Sequence, residues 1–357
     1  MRVYGSKISY FTGKLEAYLR YKEIPYEFVP MSALRQREVR TRVGVMQMPV
    51  VELPDGRWMT DTTPMIEWLE SEHPEAPVVP SDPIMAFASR LLEDYADEWL
   101  WRPALHYRWS YPGDAALLSR RIVDELMGEI PLPGFAKRLV IRLRQRRYYV
   151  RGDGVTSATR AHVEETYLRT LDRLEAVLAL RPFLLGGAPS LADFGFFASM
   201  FRHFGLDPTP AAIMMDRAPG VYAWLARMWN ARGSAIAGAI ETGIPSEWTP
   251  LLRQVGEVYL PYLASNGAAW KRGRREFDFV TKGVQYRLPT SRYRVWCLEK
   301  LRAAFESSPE SAQPEIRTLL ERHAAWDPLW ETEGIRSGYD EAGRAPFGAE
   351  SIPVFGG

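Results

Sequence analysis

Short apolar runs separated by amphipathic stretches open the chain, and long helical patterns follow. Arg2–Gly5 and Tyr26–Val29 read as strands; between them Leu15, Tyr18 and Leu19 fall on one side of a helix over Lys14–Tyr21. Ser32–Arg42 is polar and basic, a short helix or an irregular arm. Val50–Leu53 and Arg57–Thr60 are extended runs joined by Pro54-Asp55-Gly56, in which Pro presets φ and Gly accepts a positive one. The next helix has a marked start. Asp61 and Thr62 offer caps for free N–H groups, Pro64 is tolerated in a first turn, and Met65, Ile66 and Leu69 supply the apolar face. Residues 1–78 therefore read βαβαββα, a small α/β module with a mixed sheet.

His73-Pro74-Glu75-Ala76-Pro77 and Pro80-Ser81-Asp82-Pro83 form a Pro-rich linker, a composition shift that marks a domain boundary. Residues 83–244 then read as all-helical, with patterns over Met85–Trp109, Leu117–Met127, Ser157–Leu180 and Pro219–Ala231. A further helix opens at Ser190, which Asp193 answers three residues on as a capping box. Phe194, Phe197, Phe201 and Phe204 fall on one buried face of it. Residues 245–357 form a third region: Trp248–Trp270, Tyr293–Phe305 and Pro314–His323 read helical, and Arg275–Leu288 reads as a β-hairpin turning at Lys282-Gly283. Trp270, Phe277, Phe279, Tyr286 and Trp296 suffice for a core there, and the Gly- and charge-rich tail after Trp330 reads as irregular.

Composition narrows the function classes. A chain of 357 residues accommodates two or three domains, and 46% hydrophobic with 25% charged residues is the mix of a globular protein. A net charge of +1 argues against a dedicated nucleic-acid binder. The single cysteine, Cys297, excludes a disulfide framework and a Cys-based metal cluster, and fits a reducing, cytoplasmic compartment. Its setting, YRVWCLEKL, points to a buried, inert thiol. No run approaches the roughly 18 apolar residues of a membrane span, and the start lacks the apolar core of a signal peptide. The five histidines (His73, His106, His162, His203, His323) share no ligand spacing, so no metal is expected. No phosphate-cradling glycine loop and no Ser/His/Asp order is present. Lys137–Arg151 packs seven basic residues into fifteen. It reads either as a helix that meets an acidic membrane or partner, or as a solvated connection between helices.

A hairpin that feeds a helix N-terminus makes an anion site, because free N–H groups and the helix dipole favour a carboxylate there. At this point the residues resemble a known family. The stretch VYGSKISYFTGKLEAYLRYKEIPYEFV is similar to the first strand, active-site loop and first helix of the cytosolic glutathione transferases. QMPVVEL with DTT resembles their cis-Pro strand and acidic-hydroxyl helix start, and FLLGGAPSLADFGFF resembles their capping-box helix. The resemblance covers roughly residues 2–235. It implies a thioredoxin-like N-terminal domain over 1–78, an all-α helical domain over 83–244 and, outside the family pattern, an extension over 245–357 without assigned role.

Carried over residue by residue, the resemblance implies a glutathione site. Asp61 and Thr62 would hold the γ-glutamyl end, Met48 before a cis Pro49 would pair its backbone with the cysteinyl part, and Gln47 would meet the glycyl end. Arg37, Arg40 and Arg42 are candidates for the glycyl carboxylate, or are solvated surface. Ser9 stands where serine-type members carry the hydroxyl that activates the thiol; Thr12 and Tyr10 are the other candidates, and Tyr10 is a departure, since many relatives have Pro there. Neither Ser9 nor Thr12 is cysteine, which argues against thiol transfer through a mixed disulfide. Phe11 would line the second-substrate pocket, and His106 and Tyr107 either line it too or are core residues. The implied activity is attack of the glutathione thiolate on a small apolar electrophile, in a homodimer serving detoxification. A non-catalytic binding or scaffold protein, and a glutathione-dependent peroxidase or ether-cleaving enzyme, stay open beside it.

Overall fold

The computed structural model describes residues 1–44 and 47–348. The N-terminal module contains β1 (Arg2–Gly5), α1 (Tyr10–Tyr21), β2 (Glu27–Pro30), α2 (Ala33–Val43), β3 (Val50–Glu52), β4 (Trp58–Thr60) and α3 (Thr62–Glu72). The sheet order is β2-β1-β3-β4, with β1 parallel to β2 and the other pairs antiparallel. α1 is the crossover that a parallel pair requires. Strand alternation divides the residues between two faces. Val3, Val51 and Met59 join the main core with α1 and α3, while Tyr4, Val50 and Trp58 pack with Val39 of α2. The basic stretch after β2 is a regular helix, capped by Ser32 and closed by Gly44 at φ 79°.

The helical domain contains α4 (Pro83–Trp99), α5 (Trp101–Ser110), α6 (Pro112–Leu126), α7 (Gly134–Gln145), α8 (Arg160–Leu178), α9 (Leu191–Ser199), α10 (Pro208–Arg217) and α11 (Pro219–Asn230). The single helix expected over Met85–Trp109 is broken at Leu100. Pro103 has no N–H for the Trp99 carbonyl, so the ladder is interrupted there. Lys137–Arg151, which had two readings, is helical: α7 continues into a π-helical turn over Arg146–Arg151. α9 lies across α4, and a Cβ on Gly195 would stand 2.7 Å from Glu93 Cα, so the two backbones approach as only glycine permits. Asp193 closes its box as expected and does more. Its carboxylate accepts from Ser190 N (2.9 Å), Ser190 Oγ (2.7 Å), Leu184 N (2.8 Å) and Trp224 Nε1 (3.2 Å). Phe194, Phe197 and Phe204 are buried, whereas Phe201 is half-buried and stacks on Trp229.

The extension contains α12 (Thr249–Gln254), α13 (Leu260–Lys271), β5 (Glu276–Thr281), β6 (Val284–Pro289), α14 (Arg292–Glu306), α15 (Gln313–Arg322) and α16 (Trp326–Trp330). Between α12 and α13 the rod steps through a π-helical turn over Val255–Tyr259, ahead of Pro261, which cannot donate to Glu257. β5 and β6 form the expected hairpin. Lys282 (φ 48°) and Gly283 (φ 77°) both have the positive φ that a tight two-residue turn needs. Phe277, Phe279, Tyr286 and Trp296 are buried, while Trp270 lies at the surface with its Nε1 on the Arg336 carbonyl (3.2 Å). One hydrophobic core runs from Val3 through the helices to Leu329, so the extension packs as part of the same body. Cys297 is buried in α14, and burial pushes its thiol well above the ordinary range.

Replacing Asp193 by Ala removes the acceptor from three buried N–H donors at once. The expected cost is roughly 3–5 kcal/mol, read in urea as a lower midpoint at an unchanged m-value.

Candidate functional site

Register brings three segments to one edge of the sheet. Tyr4 pairs with Val50 and Val50 with Thr60, so the end of β1, the start of β3 and the end of β4 lie side by side. The loop Ser6–Ser9, the cis Met48-Pro49 peptide and the Asp61-Thr62 start of α3 follow at that edge.

Ser9 is the N-cap of α1. Its hydroxyl accepts from Thr12 N at 3.4 Å and is only partly buried, which leaves its proton free to donate outward. Thr12 is turned inward and is fully buried: a Cβ on Gly5 would stand 2.5 Å from its Cγ2, so it is wedged under β1. Tyr10 is also interior. Its phenol donates to the Ala96 carbonyl at 2.5 Å and its ring meets Trp101 and His203 edge-on. With its proton on that carbonyl, Tyr10 is placed as a packing residue rather than as the activating hydroxyl.

The loop is held from the helical domain. Arg108 donates to the Ile8 carbonyl (3.0 Å), Arg202 to the Ser6 carbonyl (3.2 Å), and Glu125 accepts from Lys7 N (2.8 Å). Each guanidinium is itself paired. Arg108 meets Asp207 through two bonds (2.7 and 2.9 Å), and Arg202 meets Glu16 (2.5 Å). Burial, and then the Arg108 charge, hold the His203 imidazole well below its usual range. It is therefore neutral, and its Nε2 accepts from Arg108 at 2.9 Å, since a guanidinium has only donors. A Cβ on Gly13 would stand 2.9 Å from Arg202 Cδ, so glycine there gives the guanidinium its path to the loop.

At the other end of the edge, Asp61 sits at φ 70°, a conformation that costs a non-glycine residue roughly 1–3 kcal/mol. Its carboxylate accepts from the Tyr293 phenol of α14 (3.0 and 3.2 Å). Burial pushes the Asp61 carboxyl up to about 7, against the pull of that phenol and of Lys14. Thr62 is buried in the first turn of α3. Beneath it, the fully buried Lys14 ammonium pairs with Glu93 (2.6 Å) and with Asp97, and reaches Thr63 Oγ1 at 3.5 Å. Burial works to lower that ammonium's pKa, and the Asp97 and Glu93 charges outweigh it, so it ends raised.

The rest of the extension reaches the same edge. Lys300 pairs with Glu67 of α3 (3.0 Å), Thr60 N donates to the Pro346 carbonyl (3.0 Å), and Phe347 packs edge-on against Trp68 (5.2 Å). Tyr293 was not found from the sequence. It is 232 residues from its partner, and no local pattern links the two.

Of the two readings of His106 and Tyr107, the geometry is that of core residues of the helical domain. His106 spends its two ring nitrogens on Glu164 and Ser110 (each 2.9 Å), and Tyr107 stacks on Tyr111 (5.3 Å). Next to Ser9, Phe11 stacks on Trp101 at 6.0 Å, and Tyr149 is edge-on to Trp101 at 6.2 Å. Gln47 and Met48 are half-buried, and Arg37, Arg40 and Arg42 are exposed. Among the described residues, no group of His, Cys, Asp and Glu side chains is arranged to hold a metal ion.

A thioredoxin-like module followed by a helical bundle, with a loop hydroxyl, a cis-proline strand and, at the same edge, the start of α3, which the Asp61 side chain does not cap as expected, defines a class. The description "Glutathione S-transferase, N-terminal domain" matches residues 3–77, and "Glutathione S-transferase, C-terminal domain" matches residues 157–227. The N-terminal module and part of the helical domain thus match the two domains of the glutathione S-transferase family. No curated protein matches it. Among solved structures, it is similar to a glutathione S-transferase from Rhodospirillum rubrum F11 (20% identity, 70% of this chain and 91% of that one, TM-score 0.44). It is also similar to the β-etherase LigF from Sphingobium sp. strain SYK-6 (22%, 64% and 93%, 0.46). A third likeness is to a glutathione S-transferase from Methylobacterium radiotolerans in complex with glutathione sulfonate (20%, 69% and 97%, 0.41).

Replacing Arg108 by Met leaves the Asp207 carboxylate buried and unpaired. The expected cost is roughly 3–5 kcal/mol. Adding Asp207→Leu is expected to recover part of it, as a double-mutant cycle in urea reads directly.

Proposed function

We propose that this chain binds glutathione along the sheet edge and holds its sulfur as thiolate through the Ser9 hydroxyl, for attack on a small apolar electrophile. The observation that carries this reading is the register Tyr4–Val50–Thr60, which sets Ser9, Met48-Pro49 and Asp61-Thr62 side by side. A free thiol has a pKa of about 8.5 and is mostly protonated at neutral pH. A hydroxyl that donates to sulfur, at the positive end of α1, favours the charged form. Ser9 fits that role better than Thr12 or Tyr10, because it is partly exposed, whereas Thr12 is fully buried and Tyr10 gives its proton to the Ala96 carbonyl. Asp61 and the first turn of α3 suit the ammonium and carboxylate of the γ-glutamyl end. Phe11 and Trp101 offer the electrophile an apolar wall. Peroxide reduction or ether cleavage would use the same edge and differ only in what that wall admits. A second copy docking through the N-terminal domain would meet α14 and the tail on α3 and β4, so the expected homodimer needs another face of that domain.

A second reading rests on Tyr293 and the tail. With the Asp61 carboxylate taken by the Tyr293 phenol and Thr60 N by Pro346, the edge is a socket for the chain's own extension, and the fold serves without catalysis.

Calorimetric titration separates the two. Under the leading reading glutathione binds, Thr62→Ala weakens it, and Ser9→Ala lowers turnover at least tenfold while binding persists. No heat with either the wild type or Tyr293→Phe, in folded protein, leaves the socket reading standing.

The Asp61 carboxyl, held up to about 7, is neutral below that pH and cannot pair with an ammonium. Glutathione affinity is therefore expected to rise as pH passes from about 6 to about 8. The rise is expected to be shallower in Asp61→Asn, where only the ionisation of the thiol itself remains.

A further inference from the structure

The site makes no use of the exposed face of α7. Six of the twelve exposed large apolar side chains among the described residues lie between Leu132 and Tyr148: those two with Phe135, Leu139, Val140 and Leu143, each more than half exposed. Phe135, Leu139 and Leu143 are spaced by four and form one stripe, with Val140 beside it. Arg138, Arg142 and Arg146, also spaced by four, run along one flank, and Arg144 and Arg147 lie beyond Val140 on the other. None of these arginines has an acidic partner among the described residues, and no Asp or Glu occurs between Glu129 and Asp153. The inner side is fixed to the fold by the buried Lys137, which donates to the Met127 carbonyl (2.8 Å), and by the buried Val150.

We propose that α7 and its π-helical turn form a docking surface for an anionic lipid bilayer. The apolar stripe lies at the boundary of head groups and acyl chains, roughly 5–10 Å deep, and the flanking guanidinium groups pair with lipid phosphates. Charge and apolarity together select this occupant. Nucleic acid would pair the arginines and leave the stripe in water. A second α7 would bury the stripe and bring two unpaired arginine sets together. With a net charge of +1 on the whole chain and seven cations in Lys137–Arg151, the remainder carries a net −6, so an anionic surface turns this face toward itself. No helix among the described residues is long and apolar enough to cross a membrane; the contact is peripheral.

Vesicle co-sedimentation tests this with the full chain. Pelleting is expected with vesicles of phosphatidylcholine containing about 30% phosphatidylserine at about 0.1 M salt. Binding is expected to be at least about tenfold weaker on phosphatidylcholine alone or at about 0.5 M salt. Leu139→Ser with Leu143→Ser, and separately Arg144→Gln with Arg146→Gln, are each expected to lower the partition at least about tenfold with an unchanged thermal melt. A Phe135→Trp variant is expected to shift its emission to the blue on the anionic vesicles. Wild type left in the supernatant overturns the proposal. So does binding in which the serine pair pellets like wild type and the emission of the Phe135→Trp variant does not shift, which is charge attraction alone. Retention by duplex DNA without vesicle binding, or a dimer abolished by the serine pair without vesicle binding, assigns the face elsewhere and overturns it too.

Discussion

The candidate site depends on guanidinium groups that the helical domain buries against the carbonyls of a loop in the other domain. Backbone carbonyls in a dry interface cost roughly 1–3 kcal/mol each if left unpaired. Arg108 and Arg202 supply donors to Ile8 and Ser6, and Asp207 and Glu16 keep those cations paired. Removing either partner would strand a charge, so loop, helices and ion pairs stand or fall together. The position of Ser9 is thereby set by residues some hundred or two hundred positions downstream.

The same logic runs on through α4. Lys14 meets Glu93 and Asp97, the adjacent Glu98 meets Arg294 of α14 (3.3 Å), and Asp153 meets Arg102 (3.2 Å). This line of buried charge crosses from the sheet module through the bundle into the extension, and each group depends on its neighbours for neutralisation. The extension also resolves an edge problem. β4 is the outer strand of its sheet, and an unpaired edge is open to association with other chains. Thr60 N on Pro346 and Phe347 on Trp68 cover it from within the chain. The cover reaches Asp61 through Tyr293, so the region outside the family pattern contributes a contact to the edge where the family's ligand is expected.

Legibility followed the range of the interaction. The βαβαββα module, the Lys282-Gly283 hairpin and the Ser190–Asp193 box were readable because each rests on residues within a turn or two of one another. The long pattern over Met85–Trp109 reads as one rod and is two helices, because apolar periodicity carries across Pro103 while the hydrogen-bond ladder does not. The ring that meets Phe11 beside the loop is that of Trp101, while His106 is bonded inside the core. Thr12 and Ser9 look alike as hydroxyls; only the packing of Thr12 under Gly5 separates them.

By itself the sequence determined the βαβαββα order of the first module, the hairpin of the extension, the resemblance of the first two modules and the basic, apolar character of the stretch that became α7. All of these are local: propensity, capping, turn chemistry and periodicity act over a few residues. Tertiary structure alone decided which hydroxyl faces outward, which aromatic meets the loop, that the extension shares the core and that Tyr293 bonds Asp61. Those outcomes turn on contacts between distant segments, where burial fixes a side chain's direction and the desolvation of charge selects its partner, and no local pattern encodes either.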